Sequence, residues 1–179
     1  MSQEDKPLEY IFSPLLFLVS FWIRFDSPGE VIFTHDRVGE GEKIFRIYKF
    51  RTMVKDADKK GPLLTEQNDS RITPFGKILR RTSIDELPQL FNILKGEMSF
   101  IGPRPEIPSI VATYTERQRQ IFQVRPGLSG WAQVNGRDEL SIETKLTYDL
   151  EYVEKVSFLF DLKIFFLTFP ALLSSRGTN

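Results

Sequence analysis

Cysteine is absent from the 179 residues, and histidine occurs once, as His35. Disulfides and thiolate metal sites are thereby excluded, and a zinc centre or a histidine-based triad lacks the side chains it would need. No charge of one sign dominates: Lys+Arg and Asp+Glu stand at 24 each, so no overall field draws the chain to nucleic acid, and no such partner is expected. A long apolar run is missing too. Tyr10 to Phe25 is interrupted only by Ser13, Ser20 and Arg24, but it falls short of the ~20 apolar residues that cross a bilayer. It is not a secretory signal, because "MSQEDKPLE" before it carries more acid than base and no small-residue cleavage site follows. Chemistry is left to carboxylates, lysine, arginine and hydroxyls.

What the chain has in plenty is phenylalanine, sixteen in all, gathered near the two ends. Pro14 sets the start of a helix running to Arg24. That helix could enter one leaflet, or lie in the interface with Trp22 and Arg24 at headgroup level, or be buried in a soluble core. Near the other end Phe158, Leu159, Leu162, Phe165, Phe166 and Phe169 recur at helical spacing, with Asp161 and Lys163 off the stripe. Such a face suits an interfacial helix and would equally close a core; taken alone, the core is the simpler expectation. Two greasy segments flanking a charged middle favour a protein that sits on a membrane without crossing it.

The middle opens with a β-hairpin over residues 30–53, where "VIFT" and "KIFRIYKF" flank the glycine-bearing "VGEGE". Alternation puts Phe45, Ile47, Lys49 and Arg51 on one face, so Lys49 and Arg51 project together. Paired cations there could hold a phosphate or simply solvate an edge. Residues 54–71 read as loop or short helix, and "TPFGKILRRTS" as a short helix carrying Lys77, Arg80 and Arg81. Residues 113–120 read as a solvated helix face, and 141–156 as an amphipathic helix opened by Ser141 with Ile142, Leu146, Leu150 and Val153 inward. No repeat and no flexible linker is visible, which favours one compact domain.

"DELPQLFNILKGE" predicts a helix burying Leu87, Leu90, Phe91 and Leu94. Pro88 is tolerated only in a first turn, which places Asp85 at or beside the N-cap; a capping box of Ser83 with Glu86 is the competing parse. Paired acids at a helix start are common and need no catalysis. Their surroundings, though, supply cations on stiff backbone: Arg104 in "GPRP", Arg125 in "VRPG", Arg137 after the "NG" turn, besides Lys49, Arg51, Arg80 and Arg81. Preplaced guanidinium groups suit bidentate phosphate contact, and a carboxylate could face a reacting phosphorus once they neutralise it.

"VIFTHDRVG", "FRIYKFRTM", "DELPQLFNILKGEMSFIGPRP", "VRPGLSGWAQVNGR" and "DLKI" stand in order and at family spacing. In these the chain closely resembles the monotopic phosphoglycosyl transferases, or bacterial sugar transferases, from about Ser13 to the last helix. The resemblance implies transfer of a phosphosugar from a UDP-sugar to a polyprenyl (undecaprenyl) phosphate, with release of UMP, at the cytoplasmic face of the bacterial inner membrane. It implies a covalent mechanism with Mg²⁺, in which Asp85 attacks the β-phosphorus and Glu86 assists metal binding or proton transfer. Arg51, Arg80, Arg104 and Arg137 match family positions lining the site, Pro103-Arg104-Pro105 a rigid motif at the nucleotide side, and Asp161 a further family acid. The fold implied is α+β: a small antiparallel hairpin among helices, several lying along the membrane. Residues 1–27 would form the membrane-associated segment, a re-entrant helix broken at Ser13-Pro14, and 28–179 the catalytic domain. The limb before the break is shorter than the family's, so a non-catalytic UDP-sugar-binding module that lost acceptor access is the alternative. Trp131 is expected to pack under a glycine turn, and His35 to be an ordinary strand residue.

Overall fold

The computed structural model describes residues 14–57, 60–62, 65, 69–136 and 139–173. The hairpin forms as its alternation predicts: β1 (Ile32–Val38) pairs antiparallel with β2 (Ile44–Phe50), Ile32 opposite Phe50 and Val38 opposite Ile44. The connection turns at Gly41, whose φ of 64° lies in the left-handed region that glycine adopts without strain. Phe45 and Ile47 of β2 are buried against Met98. Phe50 joins a second cluster with Val31, with Val19 and Ile23 of α1 (Pro14–Asp26) and with Leu79 of α2 (Pro74–Thr82). Ile44 and Arg46 share a face with Tyr48 and Phe50 yet are exposed, because the helices cover only the far end of that face. His35 lies in β1 with its Nδ1 3.0 Å from the Asp36 carbonyl oxygen, an ordinary strand residue.

Helix α2 is capped as its sequence dictates: the Thr73 hydroxyl accepts from the Gly76 N–H at 3.0 Å and Pro74 takes the first turn. It ends at Ser83, which turns left-handed at φ 56°. The segment after it departs from expectation. Ile84–Gln89 winds as a 3₁₀ helix enclosing Pro88, and α-helix begins only at α3 (Leu90–Leu94). Neither expected cap exists, since Ser83 is spent terminating α2 and its side chain caps nothing. The tight turn also shifts the buried face: Asp85, Pro88, Gln89 and Asn92 are buried, Leu87, Leu90 and Phe91 are half-buried, and Leu94 is exposed. Asn92 explains part of this. Its amide donates to the Arg46 carbonyl at 2.8 Å, and its Oδ1 accepts from the Tyr48 N–H at 3.2 Å, satisfying the free edge of β2.

A second, parallel pair has no counterpart in the sequence pattern. β3 (Ser99–Ile101) runs beside β4 (Gly127–Ser129), each three residues long. The approach depends on glycine: a Cβ on Gly130 would stand 2.1 Å from the Gly102 carbonyl oxygen. Between them α4 (Pro108–Val111) and a 3₁₀ stretch, Gln118–Gln123, replace the solvated helix expected over 113–120, and buried Tyr114 interrupts that polar run. α5 (Trp131–Val134) leads to α6 (Ile142–Lys155), whose Ser141 hydroxyl accepts from the Thr144 N–H at 3.2 Å, and then to α7 (Phe158–Leu173). Trp131 packs edge-on against Tyr148 and Phe160 and donates to Glu151 at 2.9 Å, so it joins α5 to α6 and α7.

Ile164 is the only residue of α7 that is fully buried among the described residues; the phenylalanine stripe faces outward, and Phe158 is 79% exposed. The stripe therefore does not close the core. On α1 likewise Phe17, Phe21, Trp22 and Phe25 are exposed while Val19 and Ile23 face in. No described helix is long and apolar enough to cross a membrane. Ser13 of the expected break lies outside the described residues; Pro14 begins α1.

Candidate active site

Asp85 and Glu86 lie on the 3₁₀ turn packed beneath β2, along the wall of a cleft of about 1230 Å³. That exceeds the volume of most small-molecule sites and is ample for a nucleotide sugar. Asp85 is 8% exposed, buried but on the cleft wall. Glu86 Oε1 accepts from Lys49 Nζ and from Arg104 Nη2, each at 2.8 Å. Lys49 is delivered by β2, and Arg104 by the proline-stiffened stretch after β3. Charge on this turn is thus balanced by side chains from two other elements, and the α-helical N-terminus expected at the pair plays no part.

The two carboxyls are driven apart. Burial pushes Asp85 up to about 6, the charge of Glu86 adding to it and Lys49, Arg80 and Arg104 opposing. Burial pushes Glu86 the same way, but Arg104 and Lys49 together outweigh it and hold that carboxyl well below the usual range. Glu86 is a fixed anion; Asp85 is the member that changes protonation near neutral pH.

The other expected residues divide. Arg80 lines the cleft, its Nε donating to Thr52 at 2.9 Å and its charge acting on Asp85. Pro105 lines the cleft and Pro103 the small recess beside Arg104. Arg51 borders the cleft, but its Nη2 donates to the carbonyls of Ser27 at 2.6 Å and Ile23 at 3.3 Å, closing the end of α1. It does not join Lys49 at the dyad: Lys49 reaches Glu86, whereas the Arg51 guanidinium is held by those two carbonyls. Arg125 is exposed and paired with Glu40 at 3.3 Å, away from the dyad. Asp161 accepts from the Tyr152 hydroxyl at 2.7 Å, tying the start of α7 to α6. Arg137 lies outside the described residues.

Arg37, Glu106, Gln133 and Asp149 are among the cleft residues that escaped sequence reading. Asp149 was detectable, because it falls three residues after Leu146 and four before Val153, inside the apolar line of α6. Arg37 and Gln133 sit within recognisable stretches but in no chemical pattern of their own.

Among the described residues no group of three His, Cys, Asp or Glu is arranged around a common metal position. Glu86 uses Oε1 for both cations, and no hydrogen bond from a described residue reaches its Oε2. An all-oxygen pair of this kind fits Mg²⁺, which takes one or two carboxylates and completes its shell with phosphate oxygens and water.

The family model for bacterial sugar transferases matches residues 8–175. The "Uncharacterized sugar transferase EpsL" of Bacillus subtilis (strain 168) is 44% identical over 163 residues, 91% of this chain and 79% of that protein. An Aeromonas hydrophila protein, "UDP-N-acetylgalactosamine-undecaprenyl-phosphate N-acetylgalactosaminephosphotransferase", is 41% identical, covering 94% of this chain but 41% of its own length. The "UDP-glucose:undecaprenyl-phosphate glucose-1-phosphate transferase" of Escherichia coli (strain K12) is also 41% identical, over 88% of this chain and 36% of its own. The chain thus spans well under half the length of the latter two. With a match over nearly its whole length, the chain belongs to the bacterial sugar transferase family.

Proposed function

We propose that the protein transfers a sugar 1-phosphate from a UDP-sugar to a polyprenyl phosphate such as undecaprenyl phosphate, on the cytoplasmic face of the bacterial inner membrane. The observation that carries this is the Asp85–Glu86 pair, one carboxyl fixed as an anion by Lys49 and Arg104 and the other titrating near neutrality, on the wall of a cleft large enough for the donor. The names of the latter two relatives point to the same reaction class but to different sugars, and what those two names have in common is a UDP-sugar and undecaprenyl phosphate.

In the first half-reaction a carboxylate oxygen of Asp85 bonds to the β-phosphorus. The bond from that phosphorus to the oxygen bridging the α-phosphorus breaks, and UMP leaves with the electron pair. Carboxylates serve as covalent nucleophiles in phosphoryl chemistry. In the second half-reaction an oxygen of the acceptor's phosphate bonds to the same phosphorus and the bond from phosphorus to the Asp85 oxygen breaks, giving the polyprenyl-diphospho-sugar and a free carboxylate. Burial makes ionised Asp85 poorly solvated and so more reactive, while Arg80, Arg104 and Lys49 offset the repulsion between carboxylate and diphosphate. Mg²⁺, held by Glu86 and Asp85 with the diphosphate, would spread the charge that accumulates during transfer.

The outward phenylalanines of α1 and α7 support membrane association. Exposed aromatic faces of this size are costly in water and suit the acyl boundary, where a lipid-linked acceptor would meet the cleft. The test is a UMP-release screen across UDP-sugars in vesicles: release should require both undecaprenyl phosphate and Mg²⁺ for turnover. Donor binding without release under any of these conditions would favour a non-catalytic module.

A further inference from the structure

The proposed chemistry uses the dyad and its cations, yet the same cleft holds a second polar group that none of those steps employs. Gln133, on α5, and Asp149, on α6, both line it. They are 9% and 5% exposed. Neither the Oε1 nor the Nε2 of Gln133 makes a hydrogen bond, and Asp149 Oδ1 has none either. Leaving such an atom buried and unpaired costs about 1–3 kcal/mol, a cost that an apolar side chain of similar shape would avoid. Three such atoms among the residues lining one cleft are accounted for if a ligand pairs them.

Their chemistry selects the ligand. Burial, with Glu106 adding to it, pushes the Asp149 carboxyl up to about 8, against the pull of Lys145 and Arg104. It is therefore neutral at pH 7 and both donates and accepts. A primary amide does the same. Such a pair suits neutral groups that donate and accept in turn and has no charge to offer a phosphate. The position is right for a donor already held by its phosphates. Arg104, which binds Glu86 at 2.8 Å, is close enough to act on Asp149. The Gln133 side chain lies close over Gly130, where a Cβ would stand 2.7 Å from its Oε1, so a larger residue at 130 would displace it.

Building on the transferase reading above, we propose that Gln133 and Asp149 form the subsite that recognises the neutral hydrogen-bonding groups of the UDP-sugar, either the hydroxyl and acylamino groups of the sugar ring or the imide edge of the uracil. It is a specificity-determining site, separate from the phosphate-handling dyad. Loss of its hydrogen bonds leaves the reacting atoms in place and weakens donor capture.

Gln133→Leu and Asp149→Leu, each in the whole chain, are compared with wild type, using UDP-glucose and UDP-N-acetylgalactosamine as donors and UMP as inhibitor. Each variant should raise the donor KM about tenfold or more, with a much smaller fall in kcat, and Gln133→Leu should melt no lower than wild type, since its amide has no partner in the protein. If UMP inhibition is unchanged, the sugar is the group recognised; if it weakens in parallel, the uracil is. Either result supports the subsite. Unchanged KM and UMP inhibition in both variants would overturn it, as would a lowered melting temperature with unaltered KM. Should Gln133→Leu fail to fold, Gln133→Met is measured in its place. Wild-type UMP release tests the transferase reading separately: if it is absent with every donor, that reading fails, and calorimetric affinity for the same UDP-sugars, wild type against variant, still decides the subsite.

Discussion

Asp149→Asn should make the protein more stable at mild alkaline pH, and the size of the effect follows from burial. The wild-type carboxyl is held up to about 8 in the folded state, whereas an unfolded chain titrates it near 4. Between those values the unfolded state binds fewer protons than the folded one, so stability is highest below the lower pKa and falls as pH rises, levelling off beyond the upper. Each pH unit inside the window is worth about 1.4 kcal/mol, so going from pH 5 to pH 8 costs the wild type about 4 kcal/mol through this one group. Asparagine has no such dependence. Urea unfolding of both proteins in detergent, followed by the fluorescence of Trp22 and Trp131, gives the difference at each pH, and contributions from Asp85 and other common groups cancel. The gap in unfolding free energy should shift by about 4 kcal/mol in favour of the variant across that range. Parallel curves would mean that Asp149 is ionised in the folded protein and that burial does not hold its proton. The same variant keeps a neutral group that donates and accepts, so its donor capture should stay near wild type.

Further outcomes follow from the site and the scaffold. Because Asp85 must be ionised to attack and titrates at about 6, kcat/KM for UMP release should fall as pH drops through 6, and Lys49→Met, which removes a cation that lowers Asp85, should move that acid limb upward. Lys49→Met also leaves half of the Glu86 burial uncompensated, and denaturant titration should show a loss of about 2–3 kcal/mol. Gly130→Ala drives a methyl into the Gly102 carbonyl oxygen; overpacking against backbone costs about 3 kcal/mol or more, and the melting temperature should fall by roughly 6–12 °C. Replacing Phe158 and Phe166, both exposed on α7, by serine should weaken vesicle sedimentation without lowering the melting temperature in detergent.

Where the signal was local, the chain disclosed its structure. Alternation in "KIFRIYKF" and the glycines before it specify the hairpin, and Thr73, Pro74 and Ser141 mark two helix starts that the coordinates place as expected. Where two local signals competed, the outcome could not be read in advance. Ser83 could cap the helix after it or end the helix before it, and the left-handed turn it adopts decided for the second, leaving Asp85 and Glu86 on a 3₁₀ turn. The β3–β4 pair was invisible because three-residue strands carry no periodicity, and their pairing depends on glycines that meet across distant segments. The dyad and its order in the chain were legible from the family motifs. Which cations reach it was not: Lys49 and Arg104 do, Arg51 and Arg125 bind elsewhere, and only the packing of α1 and the turn at Glu40 decides between them.

The decisive measurement is of the carboxylate itself. Protein incubated with Mg²⁺ and a UDP-sugar labelled in the β-phosphate, without acceptor, is quenched in acid and digested. Label should appear on the peptide containing Asp85, be discharged by added polyprenyl phosphate, and be missing from Asp85→Asn, which should also release no UMP. Label on another residue, or undiminished UMP release by Asp85→Asn, would contradict a phosphorus–Asp85 bond as the centre of the reaction.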